Sequence, residues 1–256
     1  MDDHDKRGTP GRKAAPGVWR SAVAAVAALV LAAGCDGGSL EGPDLAARTG
    51  RDLTADELAG LVAEHLVPGD FAEPADDRLV LEARGDLLFA RGVVNGDSQR
   101  EAVALLNGSP GVRTLVLTWV PGSADDEVNL ALGRMLRHAG MTTYLPREAM
   151  TASGGTDLLL AGARRIVECG AQVGVHSWAS GSVNGDELPR DDPRHRTYLD
   201  YYRDIGIPEA FYWFTLEAAR PDSIHWMTED EMERYGVHTH FRGPCGQGSA
   251  RRAALP

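Results

Sequence analysis

Apolar and polar positions along the chain follow two periods. Residues 78–83 (RLVLEA) and 86–94 (DLLFARGVV) are short apolar runs, with Gly85 between them and Gly92 breaking the second, and they predict strands. Residues 98–107 (SQREAVALLN) predict a helix that stops at Gly108. Residues 112–120 (VRTLVLTWV) are nearly continuously apolar, as in a strand covered on both faces. Residues 124–139 predict a helix with Ser123 as its cap. Asp125, Asp126 and Glu127 suit the positive end of its dipole, Val128, Leu132, Met135, Leu136 and Ala139 form its apolar stripe, and Gly140 ends it. MTTYLP (141–146) predicts a strand. A helix is expected from just after Ser153 through TDLLLAGARR (156–165), and AQVGVHSW (171–178) predicts another strand. Residues 184–196 are polar and predict a surface loop. IPEAFYWFTLEAA (207–219) predicts a helix with Pro208 in its first turn, and WMTEDEMERYG (226–236) a short one. Alternating strands and helices joined by right-handed crossovers give an α/β fold with a mainly parallel sheet.

The N-terminal third has a different texture. Basic residues within 1–20 precede a 13-residue apolar run, 21–33, which is too short for a membrane span and suited to a signal-peptide core. It ends in LAAGC, which resembles a bacterial lipobox with Cys35 as the lipidated residue; an ordinary cleaved signal is the other reading. The expected organisation is a signal peptide at 1–34, a tether at 35–53, and a helical segment at 54–76. That segment opens on a Thr54–Glu57 capping box and covers an edge of the core. A main domain follows at 77–242 and a frayed tail at 243–256. An exported protein with a lipid anchor on the extracytoplasmic face of a membrane is the corresponding location.

Composition narrows the chemistry. The 256 residues carry a formal net charge of −11, the wrong sign for a nucleic-acid footprint. Residues 1–34 hold five basic and three acidic side chains, including both lysines, Lys6 and Lys13. The remaining chain has 21 arginines against 34 acidic residues, a net of −13, and no lysine. Cys169 and Cys245 remain as a disulfide pair or as two free thiols. His238 and His240 would share a face on a strand, which is the start of a metal site or simply a solvated histidine-rich end; no metal and no cofactor are expected. Phe211, Tyr212, Trp213 and Phe214 serve either as core or as a surface for substrate or a second subunit.

Three segments carry a family resemblance: Pro121-Gly122-Ser123 after the buried strand, Ala152-Ser153-Gly154-Gly155 opening a helix, and His176 closing the next strand. In this order they resemble the ClpP/crotonase superfamily, and most of all the exported ClpP-like proteins of bacteria, over roughly residues 85–237. The resemblance implies a ClpP/crotonase-like fold of repeated β-β-α units, homo-oligomerisation, and a serine hydrolase acting on a peptide or acyl substrate. Ser153 would be the nucleophile, His176 the general base, and Gly122, Ser123 and Gly154 the oxyanion-binding backbone. An acid orients the histidine in that family. A gapless match puts Arg220 there, so Asp222 is the expected acid, with Glu217 second. The family's second turn glycine is Ser123 here. Relatives with a Ser-Lys dyad are excluded as templates because no lysine follows Lys13. The alternative is a non-catalytic ClpP-like lipoprotein that binds a peptide or protein partner in the old cleft. Ser153 would then be a plain helix cap and His176 an ordinary strand-end histidine.

Overall fold

The computed structural model describes residues 51–76, 78–243 and 245. The expected signal segment, Cys35, most of the tether and residues 246–256 lie outside them.

Strands β1 (Val80–Arg84) and β2 (Leu87–Arg91) form an antiparallel hairpin. Helix α2 (Ser98–Gly108) then leads to β3 (Thr114–Val120), which lies parallel to β2. Helix α3 (Asp126–His138) is followed by β4 (Thr142–Leu145) and β5 (Met150–Ala152), and α4 (Gly154–Ala161) by β6 (Arg164–Glu168) and β7 (Gln172–Val175). Every pairing from β2 to β7 is parallel. The chain continues through a small hairpin, β8 (Ala179–Ser180) with β9 (Val183–Asn184), and helices α5 (Arg196–Ile205) and α6 (Glu209–Ala218). Strand β10 (His225–Trp226) adds antiparallel to β7. After α7 (Glu229–Arg234), β11 (His240–Arg242) adds parallel to β6. The fold is α/β with a mainly parallel sheet, and the strand–strand–helix order recurs in β1–β2–α2 and β4–β5–α4.

The sheet divides at β3. Its residues Thr114–Val116 pair with β4, while Trp119 and Val120 pair with β5 on the same edge. Two branches result, β4–β6–β11 and β5–β7–β10. Ser153 and His176 follow directly on the ends of β5 and β7, neighbours within the second branch.

Strand periodicity sorts the core into two layers. Leu88, Ala90, Leu115, Leu117, Leu145 and Val167 face the layer that holds α2 to α6, and Leu87, Phe89, Val116, Tyr144 and Ile166 face α1 (Ala55–His65). Burying each of the leucines, valines, Ile166 or Phe89 among them is worth about 1.5–3 kcal/mol. The Thr54–Glu57 capping box forms, with the Glu57 amide 3.2 Å from the Thr54 hydroxyl oxygen. Leu58 and Val62, one turn apart, put α1 across a sheet face rather than over an edge of the core.

Several elements differ from the pattern-based expectation. The helix after Ser153 ends at Ala161, and Arg164 and Arg165 open β6 instead of closing the helix. The guanidinium of Arg165 donates to the carbonyls of Gly162, Gly236 and Val237 at 2.9–3.1 Å, so a buried cation is satisfied by backbone oxygens. Helix α5 starts within what looked like the end of a loop. Asp125, not Ser123, caps α3 by accepting from the Val128 amide at 3.0 Å.

Cys169 and Cys245 form a disulfide, which ties the chain at 245 to β6. The expected frayed tail is therefore anchored two residues past its start. The closed loop spans 76 residues, and the chain-entropy argument gives such a loop about 4.5 kcal/mol. Cys245→Ser is expected to lower the unfolding free energy by up to that amount, read by denaturant titration with and without reductant. Reductant should destabilise the wild type and leave the variant unchanged.

Candidate active site

Ser153 sits on the sharp turn between β5 and α4 with φ 51° and ψ −127°. A left-handed φ is unfavourable for a residue with a Cβ, by on the order of 1–3 kcal/mol. The turn is held from several sides. The Ser153 amide donates to the Gly174 carbonyl at 3.1 Å, and the buried Thr156 hydroxyl donates to the same oxygen at 2.8 Å. The amides of Thr156 and Asp157 both turn back to the Ser153 carbonyl. Gly154 and Gly155 are left as the first-turn donors with no acceptor inside the helix.

Neither glycine admits a side chain. A Cβ on Gly154 would lie 2.7 Å from the Ser123 Cβ and 2.9 Å from Asn129 Nδ2, and one on Gly155 would lie 2.9 Å from the Val120 carbonyl carbon. Asn129 Nδ2 donates to the Gly154 carbonyl at 3.1 Å, fixing the peptide that follows the serine. Gly122 lies beside the serine, since a Cβ there would be 3.6 Å from the Ser153 Cβ. Val94 clamps this segment by donating to the Gly122 carbonyl and accepting from the Ala124 amide, which leaves the Ser123 N–H on the opposite edge. The Ser123 hydroxyl donates to Asp126 Oδ1 at 2.5 Å.

His176 is half-buried at the end of β7, and its Nδ1 lies 2.7 Å from the Ser177 carbonyl oxygen. A carbonyl only accepts, so Nδ1 carries the proton and Nε2 keeps its lone pair. Burial pushes the imidazole below its ordinary pKa, while the Ser177 carbonyl and the charge of Asp126 oppose that shift. The ring is a neutral base at neutral pH.

Ser153, Gly154 and His176 line one cavity of about 130 Å³ with Ser123. The expected acid is not there. Asp222 is exposed in a turn after α6 and does not line the cavity, and the atom it was to hold is bonded to Ser177. Glu217 is an exposed partner of Arg190, 2.8 Å away, and Arg220 faces Asp186 and Glu187.

The cavity also has walls that the motifs did not indicate. Asp126 and Asp157 line it with Trp178, Tyr198, Tyr202 and Tyr212. Burial pushes the Asp157 carboxyl up to about 7, against the lowering effect of the Tyr202 hydroxyl that donates to it at 2.6 Å. The available signals were Asp157 four residues past Ser153 and the Tyr198/Tyr202 pair at helical spacing. Of the aromatic run in α6, Phe211 and Tyr212 are buried and reach the cavity, while Trp213 and Phe214 are half-buried beside them.

The histidines near the C-terminus do not converge. His225 pairs with Glu231 at 3.0 Å, His238 precedes β11 against Phe241, and His240 meets the Thr239 hydroxyl. Among the described residues, Cys169, Glu229 and Cys245 converge as metal-type ligands, but those two cysteines are the disulfide.

No protein family matches the chain, and no curated protein does. Solved structures similar to it include Pseudomonas aeruginosa PA4980, at 16% identity and a TM-score of 0.39 over 66% of this chain and 79% of that one. A serine-to-alanine mutant of the 1510-N membrane-bound stomatin-specific protease is also similar, at 14% identity and a TM-score of 0.40 over 63% of this chain and 81% of that one.

Proposed function

We propose that the protein is an exported serine hydrolase of ClpP-like type, tethered to a membrane through a lipidated Cys35 and acting on peptide bonds or related acyl groups. One observation carries this reading: a serine on a strained strand-to-helix turn and a neutral histidine, from the ends of two paired parallel strands, line the same cavity. Ser153 Oγ attacks the acyl carbon and its proton passes to His176 Nε2. The oxyanion takes hydrogen bonds from the Gly154 amide and from that of Gly122 or Ser123, where one such donor is worth about 3–4 kcal/mol. The imidazolium then protonates the leaving group, and water attacks the acyl-enzyme by the same route in reverse. The Ser177 carbonyl fixes the imidazole tautomer, the task first expected of Asp222.

The rival, a peptide-binding lipoprotein without turnover, draws support from the lack of a carboxylate bonded to His176 among the described residues. An alkyl fluorophosphonate separates the two. Wild type is expected to gain one phosphonyl adduct by intact mass and Ser153→Ala none. Equal labelling of both proteins, or of neither, would defeat the hydrolase.

A further inference from the structure

Apart from the Ser153 hydroxyl and the backbone amides assigned to the oxyanion, the open hydrogen-bonding capacity of the Ser153 cavity is acceptor. Six hydroxyls line it besides that of Ser153, and each proton is taken up by the protein. Ser123 and Tyr198 both donate to Asp126, at 2.5 and 2.6 Å. Tyr202 donates to Asp157, Thr156 to the Gly174 carbonyl, and Thr215 to the Tyr212 carbonyl. The sixth, Tyr212, is fixed by a relay. His195 Nε2 lies 3.1 Å from the Pro189 carbonyl and donates to it; in the neutral imidazole Nδ1 is then the acceptor of the Tyr212 proton at 2.6 Å, while Trp178 Nε1 donates to the Tyr212 oxygen. His176 adds a further acceptor through its free Nε2.

Charge points the same way. Asp126 and Asp157 line the cavity, and no lysine or arginine does. Asp126 has no cationic partner among its described contacts, only the two hydroxyls, and Asp157 is 8% exposed with one phenol as its described side-chain partner. The remaining wall is aromatic. Trp178 and Tyr198 stack with ring centroids 5.9 Å apart, and Tyr198 stacks on Tyr212 at 5.8 Å. Carboxylates together with aromatic rings form an environment that attracts a cation twice over, by charge-assisted hydrogen bonds and by the ring quadrupoles. A space of about 130 Å³ suits the head of one side chain rather than a folded segment.

We infer that this cavity is the specificity pocket of the hydrolase and selects substrates bearing a cationic side chain, an ammonium or guanidinium group, beside the bond that is cleaved. The inference rests on the proposed hydrolase and names its substrate class. A ligand entering here must bring its own donors, and a positive one also relieves the mutual repulsion of Asp126 and Asp157. The cation lowers the cost of ionising the buried Asp157, so its binding releases a proton at pH values where that carboxyl is protonated.

The test compares two active-site phosphonates, lysyl and norleucyl diphenyl esters, which share an aliphatic stem and differ in the ammonium. Rates are normalised to alkyl fluorophosphonate labelling of the same protein. Wild type is expected to prefer the lysyl probe at least tenfold. Asp126→Asn and Asp157→Asn, both isosteric, should each reduce that preference at least fivefold. Alkyl labelling of Ser153 with a lysyl-to-norleucyl ratio near one would overturn the inference and leave the hydrolase standing. If the alkyl probe fails to label, the hydrolase falls and the pocket is read by thermal shift with n-butylammonium against n-butanol. Stabilisation by the ammonium alone, lost in Asp126→Asn, upholds a cation pocket; equal shifts overturn it.

Discussion

Replacing His176 with alanine is expected to slow acyl transfer to Ser153 by about 10⁴- to 10⁶-fold, while the thermal transition stays close to that of wild type. The size follows from the chemistry. A serine hydroxyl is a weak nucleophile until a base takes its proton, and no lysine exists after Lys13 to replace the imidazole. The pH dependence has a definite sign. Burial holds the imidazole below its ordinary value, so the base form persists through neutral pH. The rate should be flat there and fall only as the pH drops through a value under 6.5. Asp222 supplies the internal control. A carboxylate that orients a catalytic histidine is worth about 10⁴ in kcat, whereas an exposed one off the cavity is worth less than about threefold. A pH–rate profile of wild type beside Asp222→Asn and His176→Ala measures all three quantities. A loss near 10⁴ in Asp222→Asn would return that residue to the site and displace the Ser177 carbonyl from its role.

What the sequence made legible follows from how far each signal reaches. The continuous run in β3 and the capping box of α1 are local patterns that appear where expected; of the stripe read for α3, Leu132 and Leu136 are buried while Val128, Met135 and Ala139 are half-buried, because Asn129, Leu130 and Gly133 share the inner face. Strand β5 is three residues long, too short for any period to register. Strand β6 opens on two arginines, and its stability depends on carbonyls at 162, 236 and 237, one near in sequence and two far away. Helix α5 follows a charged loop with no apolar lead, although Tyr201, Tyr202 and Ile205 already mark its buried side. At the candidate site, the strand ends that carry Ser153 and His176 were legible because a strand followed by small residues is a local pattern, and both residues line one cavity. The partner of His176 was not legible, because the atom that meets its Nδ1 is a backbone carbonyl, which every residue possesses. The cavity walls were missed for the opposite reason. Asp126, Asp157, Tyr198 and Tyr202 come from three helices, and only the packing of α3, α4 and α5 places them around one space.

Gly155→Ala is expected to destabilise the fold by at least about 3 kcal/mol, whereas Gly60→Ala, on the exposed side of α1, should stabilise it by about 0.5–1 kcal/mol. The same methyl group has opposite consequences because of what surrounds it. At Gly60 nothing lies within 4 Å, so alanine contributes only its better helix propensity. At Gly155 the new Cβ would overlap the Val120 carbonyl oxygen and lie 3.0 Å from Val120 Cγ1. The obstacle is backbone at the end of β3, which cannot rotate away as a side chain would. Either β3 or the start of α4 must move, and α4 is held by the buried Thr156 hydroxyl on the Gly174 carbonyl. For a domain of this size about 3 kcal/mol corresponds to roughly 6–12 °C in Tm, readily resolved by calorimetry. The displacement also reaches the chemistry, because Ser153 immediately precedes the helix that must shift. Fluorophosphonate labelling of Gly155→Ala, measured well below its lowered Tm, should therefore fall by at least tenfold while Gly60→Ala labels like wild type. A Gly155→Ala protein that melts within about 2 °C of wild type and labels normally would show that α4 does not approach β3 this closely, and that the strained serine turn is held by something other than this contact.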